Sequence, residues 1–127
     1  MPAASAARRR VYIETYGCQM NLADTELLLG QFSRSGYDRA LGPEEADVIL
    51  LNTCAIREHA EERIVGRLGD LFRFKARRPE LQLGIVGCMA QHVKERLLDR
   101  LPFVDFVVGP EGYRRLPELL DEARGEL

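Results

Sequence analysis

The chain has 127 residues, of which 46% are hydrophobic and 30% charged, a mixture typical of one globular domain with a single core. Its net charge of −2 at pH 7 excludes the class of domains that bind nucleic acid over a whole basic face. No apolar run reaches the ~20 residues of a membrane-spanning helix, and residues 1–10 lack the apolar stretch of a secretory signal. We therefore expect a cytoplasmic protein.

Strands and helices alternate along most of the predicted fold. We expect a flexible arm over residues 1–10, one folded domain over 11–124 and a tail over 125–127. In the folded part, β-branched and aromatic runs predict strands, and apolar residues at helical spacing predict helices. The predicted elements are strand 11–16, a helix with Asn21 as its N-cap and Gly36 as its C-terminal cap, strands 37–41 and 47–52, helix 55–78, strand 81–86, helix 89–101, strand 104–108 and helix 111–123. This order predicts an α/β fold of three layers, flavodoxin-like or Rossmann-like, with a mainly parallel five-stranded sheet.

The second predicted strand is the weak point of this topology. A flavodoxin-like sheet has the strand order 2-1-3-4-5, which requires a crossover between strands 37–41 and 47–52. A parallel crossover ordinarily takes a dozen residues or more, and the segment between these two strands is shorter than that. The sequence therefore leaves open whether the second strand is irregular or lies elsewhere.

Three cysteines, Cys18, Cys54 and Cys88, occupy equivalent places in this pattern, because each lies between a predicted strand and a predicted helix. An odd number of cysteines fits a disulfide framework poorly. The carboxyl ends of parallel strands share one edge of a sheet. In the order 2-1-3-4-5 the strands that precede the three cysteines are neighbours, ~4.8 Å apart. We therefore expect the three thiols to converge on one small group.

The spacing alone leaves the nature of that group open. A zinc ion would require a fourth ligand, for which His59 and His92 are candidates. A 4Fe–4S cluster held by three cysteines would keep one iron open to a further ligand. Thiol catalysis, or three buried structural cysteines, would also fit. A nucleotide could bind at the same edge, although the chain contains no phosphate-binding loop.

The segments around the cysteines resemble three motifs of a known family. They are ETYGCQMN over 14–21, NTCAIREHA over 52–60 and GCMAQ over 87–91, and the run ADVILLN over 46–52 leads into the second. They look like the cysteine motifs of the radical-SAM methylthiotransferases, and the resemblance extends from about Arg10 to Glu122. The residues after Cys18 and Cys54 are similar to those of the tRNA branch, the 2-methylthio-isopentenyladenosine synthases, and less to those of the branch that modifies a ribosomal protein.

The resemblance implies a function for the three cysteines. Cys18, Cys54 and Cys88 would bind an auxiliary 4Fe–4S cluster with one open iron. The full enzyme of this family adds a methylthio group, sulfur and methyl together, to isopentenyladenosine beside the anticodon of tRNA. It does so with S-adenosylmethionine and a second 4Fe–4S cluster. Another tRNA adenosine or a ribosomal protein is the alternative substrate.

The chain departs from the full family in one respect. It has no Cys-x-x-x-Cys-x-x-Cys motif, which builds the radical-SAM cluster. The radical-SAM and C-terminal RNA-binding domains of the family are therefore expected to be absent, and the fragment alone is predicted to be inactive. Its expected partners are tRNA and its own missing radical-SAM domain, with no membrane partner, and it is predicted to be a monomer.

Five further residues are candidates for a place beside the cluster, and each has a structural alternative. Asn21 could be a helix cap, Asn52 and Thr53 could satisfy backbone groups at the sheet edge, Arg57 could pair with Glu61, and Gln91 could cap its helix. Arg8, Arg9 and Arg10 could contact RNA phosphates, or they could form a solvated tail.

Overall fold

A computed structural model describes residues 9–15, 19–53, 58–87 and 102–123. Within these ranges one sheet contains five parallel strands in the order β2-β1-β3-β4-β5. The strands are β1 (Arg9–Thr15), β2 (Tyr37–Arg39), β3 (Val48–Thr53), β4 (Gln82–Gly87) and β5 (Phe106–Val108), and the helices are α1 (Gln19–Arg34), α2 (Glu58–Arg77) and α3 (Leu116–Ala123). Pro43–Glu45 and Pro110–Arg115 form 3₁₀ helices. The predicted three-layer α/β fold is confirmed, and the sheet has the flavodoxin-like strand order.

Helices cover both faces of the sheet, so two hydrophobic cores form. Ile49 and Leu51 of β3 face α2 and pack with its buried Leu68. Val48 and Leu50 alternate with them, as strand geometry requires, and pack with α1 and α3 on the opposite face. All six residues of β3 are buried, because a central parallel strand has a helix on each side.

The short second strand explains how the chain makes its brief crossover. Arg39 at the end of β2 and Val48 at the start of β3 both pair with Val11, on opposite sides of β1. β2 therefore ends at the level where β3 begins, and the chain only has to pass across β1, a distance of about 10 Å at the usual strand spacing. The connection crosses on the α2 side, where Ala40 and Ala46 are buried in the core.

Two predicted boundaries at the beginning of the fold were wrong. β1 begins at Arg9, inside the segment predicted as an arm, and the Arg9 guanidinium donates hydrogen bonds to Tyr37 and Gln82. α1 begins at Gln19, so Asn21 lies in its first turn and is not its N-cap. Gln19 and Met20 both have a high helix propensity, so α1 begins two residues before Asn21.

A glycine follows the end of α1, and a proline lies at the beginning of α3. Gly36 has a φ of +93° and follows α1 as its predicted C-terminal cap, in the left-handed region that glycine favours. The predicted helix 111–123 is divided into a 3₁₀ helix and α3. Pro117 has no N–H with which to continue an α-helix from the preceding turn, but it is tolerated in the first turn of α3. The predicted helix 89–101 lies outside the described residues.

Candidate functional site

The carboxyl ends of β1, β3 and β4 lie side by side at one edge of the sheet. Thr15 of β1 pairs with Asn52 of β3, and Thr53 of β3 pairs with Gly87 of β4. In the sequence, Cys54 follows Thr53 directly, Cys88 follows Gly87 directly, and Cys18 comes three residues after Thr15. The three cysteines themselves lie outside the described residues. The strand ends that precede them are adjacent, as expected for the strand order 2-1-3-4-5, and they are in register.

The other predicted residues at this edge divide into two groups. Asn52 and Thr53 are described and are almost completely buried. Arg57, Gln91 and His92 lie outside the described residues, and for Asn21 and His59 only the backbone is described. Among the side chains that the structure does describe, no three His, Cys, Asp or Glu form a group that could hold a metal ion.

A buried polar cluster lies behind the strand ends. The Nδ2 of Asn52 donates to Oγ1 of Thr25 at 2.9 Å, and that hydroxyl lies 2.6 Å from Oγ1 of Thr15. The exposed fractions are 0% for Asn52 and 7% for Thr25. Buried polar groups of this kind are retained only with hydrogen-bond partners. Together, these bonds join the ends of β1 and β3 to α1.

A glycine at the end of β4, Gly87, allows β4 to lie unusually close to the end of β3. Gly87 has a φ of +113°, and a Cβ at this position would lie 2.0 Å from the carbonyl oxygen of Thr53 and 3.0 Å from Oδ1 of Asn52. Thr53 also donates its hydroxyl to the carbonyl of Val86 at 3.2 Å. The sequence interpretation of Thr53 as a residue that satisfies the backbone at the sheet edge is thereby confirmed. Only glycine permits this approach.

An ion pair lies on the other face of β1, close to its carboxyl end. Both carboxylate oxygens of Glu14 accept hydrogen bonds from Arg67 of α2, with Nε to Oε1 at 2.9 Å. Tyr12 donates its hydroxyl to the same carboxylate at 3.0 Å. Burial, and then the hydrogen bond to Glu14, raises the pKa of Tyr12 above its usual value. Tyr12 therefore stays neutral and serves as a donor to the carboxylate.

Neither the role of Thr25 nor the Glu14–Arg67 pair was predicted from the sequence. Thr25 precedes Leu28 and Phe32 at the spacing of one helix face, and a polar residue within an apolar helix face is a signal of a buried partner. Glu14 gives a similar signal, since it is a carboxylate within a strand of apolar and β-branched residues. Its partner Arg67 has no distinguishing feature among the many arginines of α2.

A cavity lies near the amino ends of the strands, which we call the amino edge of the sheet. It has a volume of about 660 Å³ and is lined by both charged and apolar side chains, including Lys75, Asp105 and Leu120. Lys75 pairs with Asp105 at 2.8 Å. The lining of the cavity extends from Gln82, the first residue of β4, along β5 to Val108. No helix of the described ranges is both long and apolar enough to span a membrane.

Comparison with known proteins gives a consistent result. The model of the family described as "Uncharacterized protein family UPF0004" matches residues 10–109, which include all three cysteines. The chain is 49% identical over 125 residues to a tRNA-2-methylthio-N(6)-dimethylallyladenosine synthase of Anaeromyxobacter dehalogenans, an alignment that covers 98% of this chain and 27% of the relative. A protein of the same name from Chloroherpeton thalassium is 49% identical over 116 residues, which are 91% of this chain and 26% of the relative. Another from Bacillus pumilus is 52% identical over 116 residues, which are 90% of this chain and 23% of the relative. The chain thus spans about a quarter of the length of the curated relatives it matches.

Proposed function

The chain belongs to the UPF0004 family, and from its similarity to tRNA-2-methylthio-N(6)-dimethylallyladenosine synthases we propose that it is the cysteine-bearing domain of a tRNA methylthiotransferase. The substrate of the whole protein would be the dimethylallyl (isopentenyl) adenosine that the names of its relatives specify. The methylthio group would be added beside the anticodon. One observation carries the proposal. The three strand ends that precede Cys18, Cys54 and Cys88 are adjacent and in register.

The residues present fit a 4Fe–4S cluster. Three thiols would supply three of the four ligands that such a cluster takes, which leaves one iron position for an exogenous ligand. Gly87 supports this fit, because its missing side chain lets β3 and β4 end in close contact directly before Cys54 and Cys88. When bound, the cluster would supply a coordination position at which a sulfur species can be held for transfer.

The other residues of the chain would act by holding and shielding this edge. Asn52 and Thr53 fix the backbone in front of Cys54 through their hydrogen bonds. Asn21, Arg57 and Gln91 are proposed to surround the cluster, as the motifs suggest.

The rest of the reaction would require the remainder of a longer protein, consistent with the length of the relatives. We propose that a radical-SAM domain provides the second cluster and S-adenosylmethionine, and that an RNA-binding domain contacts tRNA. In this proposal the chain from Arg9 onwards forms the auxiliary domain, acts in the cytoplasm as part of a monomer, and is inactive without the other domains.

Anaerobic reconstitution of the 127-residue chain with iron and sulfide tests the proposal. We expect about four irons per chain, with the visible absorption and Mössbauer spectra of a 4Fe–4S cluster. Each of the variants Cys18→Ala, Cys54→Ala and Cys88→Ala should lose the cluster, whereas His59→Ala and His92→Ala should retain it. Tight zinc binding that requires the cysteines and one of these histidines would instead establish a zinc site. Tight binding of a nucleotide, independent of the cysteines, would favour a nucleotide-binding module.

A further inference from the structure

Asn52 and Thr25 link the ends of β3 and β1, two of the strands that precede the cysteines. Asn52 lies in β3, and its amide donates to Thr25, whose hydroxyl lies 2.6 Å from that of Thr15 in β1. On its other side, its Oδ1 lies 3.0 Å from the position that a Cβ of Gly87 would occupy. The buried amide is thus hydrogen-bonded through Thr25 to the end of β1, and it leaves no room for a side chain at Gly87 in β4.

Because these hydrogen-bonded groups are buried, they restrict the distance between the ends of β1 and β3. A hydrogen bond in a buried environment has a narrow range of favourable distances and angles, and an unpaired buried polar group is costly. A shift of β1 relative to β3 would therefore break the bonds from Thr25 to Thr15 and Asn52. Apolar side chains of the same volume would fill the space but would tolerate such a shift, because their contacts are non-directional.

We propose that Asn52 and Thr25 are positioning residues, which set the spacing of the strand ends so that the three thiols of Cys18, Cys54 and Cys88 reach one small group. The inference rests on the proposed function, both for the convergence of the three thiols and for the identity of the group that they hold. It assigns a role to Thr25, a residue outside the three cysteine motifs.

The chain offers a matched control at the opposite end of the sheet. Gln82 is also a buried amide, with an exposed fraction of 6%. It donates to the carbonyl of Leu120 at 3.0 Å and accepts from Arg9 at 2.9 Å. The variant Gln82→Met removes a buried amide from β4 at the amino edge, far from the cysteine positions. It should destabilise the fold without changing the spacing at the carboxyl edge.

The test measures thiol convergence without any cluster, by the binding of arsenite to the reduced chain. Trivalent arsenic forms bonds to three thiolates, so its affinity reports how well three thiols converge. We expect wild type to bind arsenite far more tightly than Cys18→Ala. Thr25→Val should weaken binding about tenfold, and Asn52→Leu at least as much. Thr25→Ser, which retains the hydroxyl, should bind arsenite with nearly the wild-type affinity. Gln82→Met should also bind it with the wild-type affinity.

Reconstituted protein gives a second readout, the midpoint potential of the cluster and its rate of iron loss to a chelator. Thr25→Val should change both, whereas Gln82→Met should change neither at a comparable melting temperature. Equal arsenite affinities for Thr25→Val, Gln82→Met and wild type would overturn the inference, and so would wild-type binding no tighter than that of Cys18→Ala. Tight arsenite binding by wild type without cysteine-dependent iron uptake would refute the proposed cluster alone, and the Thr25 variants would still decide the positioning role.

Discussion

Replacing Gly87 with alanine tests the close approach of β3 and β4 directly before the cysteine positions. The added methyl group would lie 2.0 Å from the Thr53 carbonyl oxygen and 2.9 Å from the Thr53 nitrogen, on a backbone with a φ of +113°. An unfavourable backbone conformation costs about 1–3 kcal/mol, and overpacking in a closely packed region costs about another 1–3 kcal/mol. Since the obstructing atoms belong to the backbone of a central strand, relaxation is limited. We expect the free energy of unfolding to fall by about 4 kcal/mol, a large part of the ~5–15 kcal/mol of a typical domain.

Urea denaturation followed by circular dichroism, with the thiols kept reduced, would measure this change. Gly69→Ala is the matched control, because Gly69 lies on the exposed side of α2 with no atom within 4 Å of its potential Cβ. There alanine should stabilise the protein by up to about 1 kcal/mol through its higher helix propensity. A Gly87→Ala variant within about 0.5 kcal/mol of wild type, the range of an ordinary surface substitution, would refute the described approach of the two strands.

Two further predictions concern ionisable groups. Arg67→Met should lower the free energy of unfolding by about 2–3 kcal/mol, because it leaves the largely buried Glu14 carboxylate without its cation. A double-mutant cycle with Glu14→Gln measures the coupling energy between the two side chains. A coupling energy near zero would contradict the described ion pair. Burial, and then its hydrogen bond to Asp121, raises the pKa of Tyr37 from 10.0 to about 12. Because the folded state holds this proton more tightly than the unfolded state, the contribution of Tyr37 to stability is complete below pH 10 and is lost as the pH rises towards 12. The free energy of unfolding, measured by urea denaturation between pH 10 and pH 12, should fall as the pH rises. In Tyr37→Phe this fall should be less steep. An equally steep fall in the variant would rule out Tyr37 as its source.

The sequence predicted a mainly parallel sheet and the placement of the cysteines after its strands, because both depend on regular patterns. It left the position of the second strand open. The apolar run of β3 indicates burial on both faces, and the alternation of strands with helices indicates parallel pairing. The position of three cysteine motifs after three strands then places them at one edge. These inferences require no knowledge of individual contacts.

The features that the sequence did not predict depend on contacts between distant residues. The crossover after β2 is short because Arg39 and Val48 pair with the same residue of β1, and no local pattern reports such a register. Gly87 directly precedes Cys88 in the sequence, but no local pattern shows that its missing side chain accommodates the Thr53 backbone. Likewise, the partners of Thr25 are brought to it only by the packing of α1 against the sheet.

The hydrogen bonds at the amino edge bring the two ends of the described fold together. Arg9, the first residue of β1, and Asp121 of α3 both contact the Tyr37 hydroxyl, at 3.0 and 2.9 Å. The two ends of the described fold therefore lie within reach of each other's side chains, so a linker peptide could join them and new termini could be opened elsewhere. Leu41, with an exposed fraction of 85%, offers such a point in the crossover. A circular permutant opened there would keep β1, β3 and β4 intact, since their pairing does not depend on where the polypeptide starts.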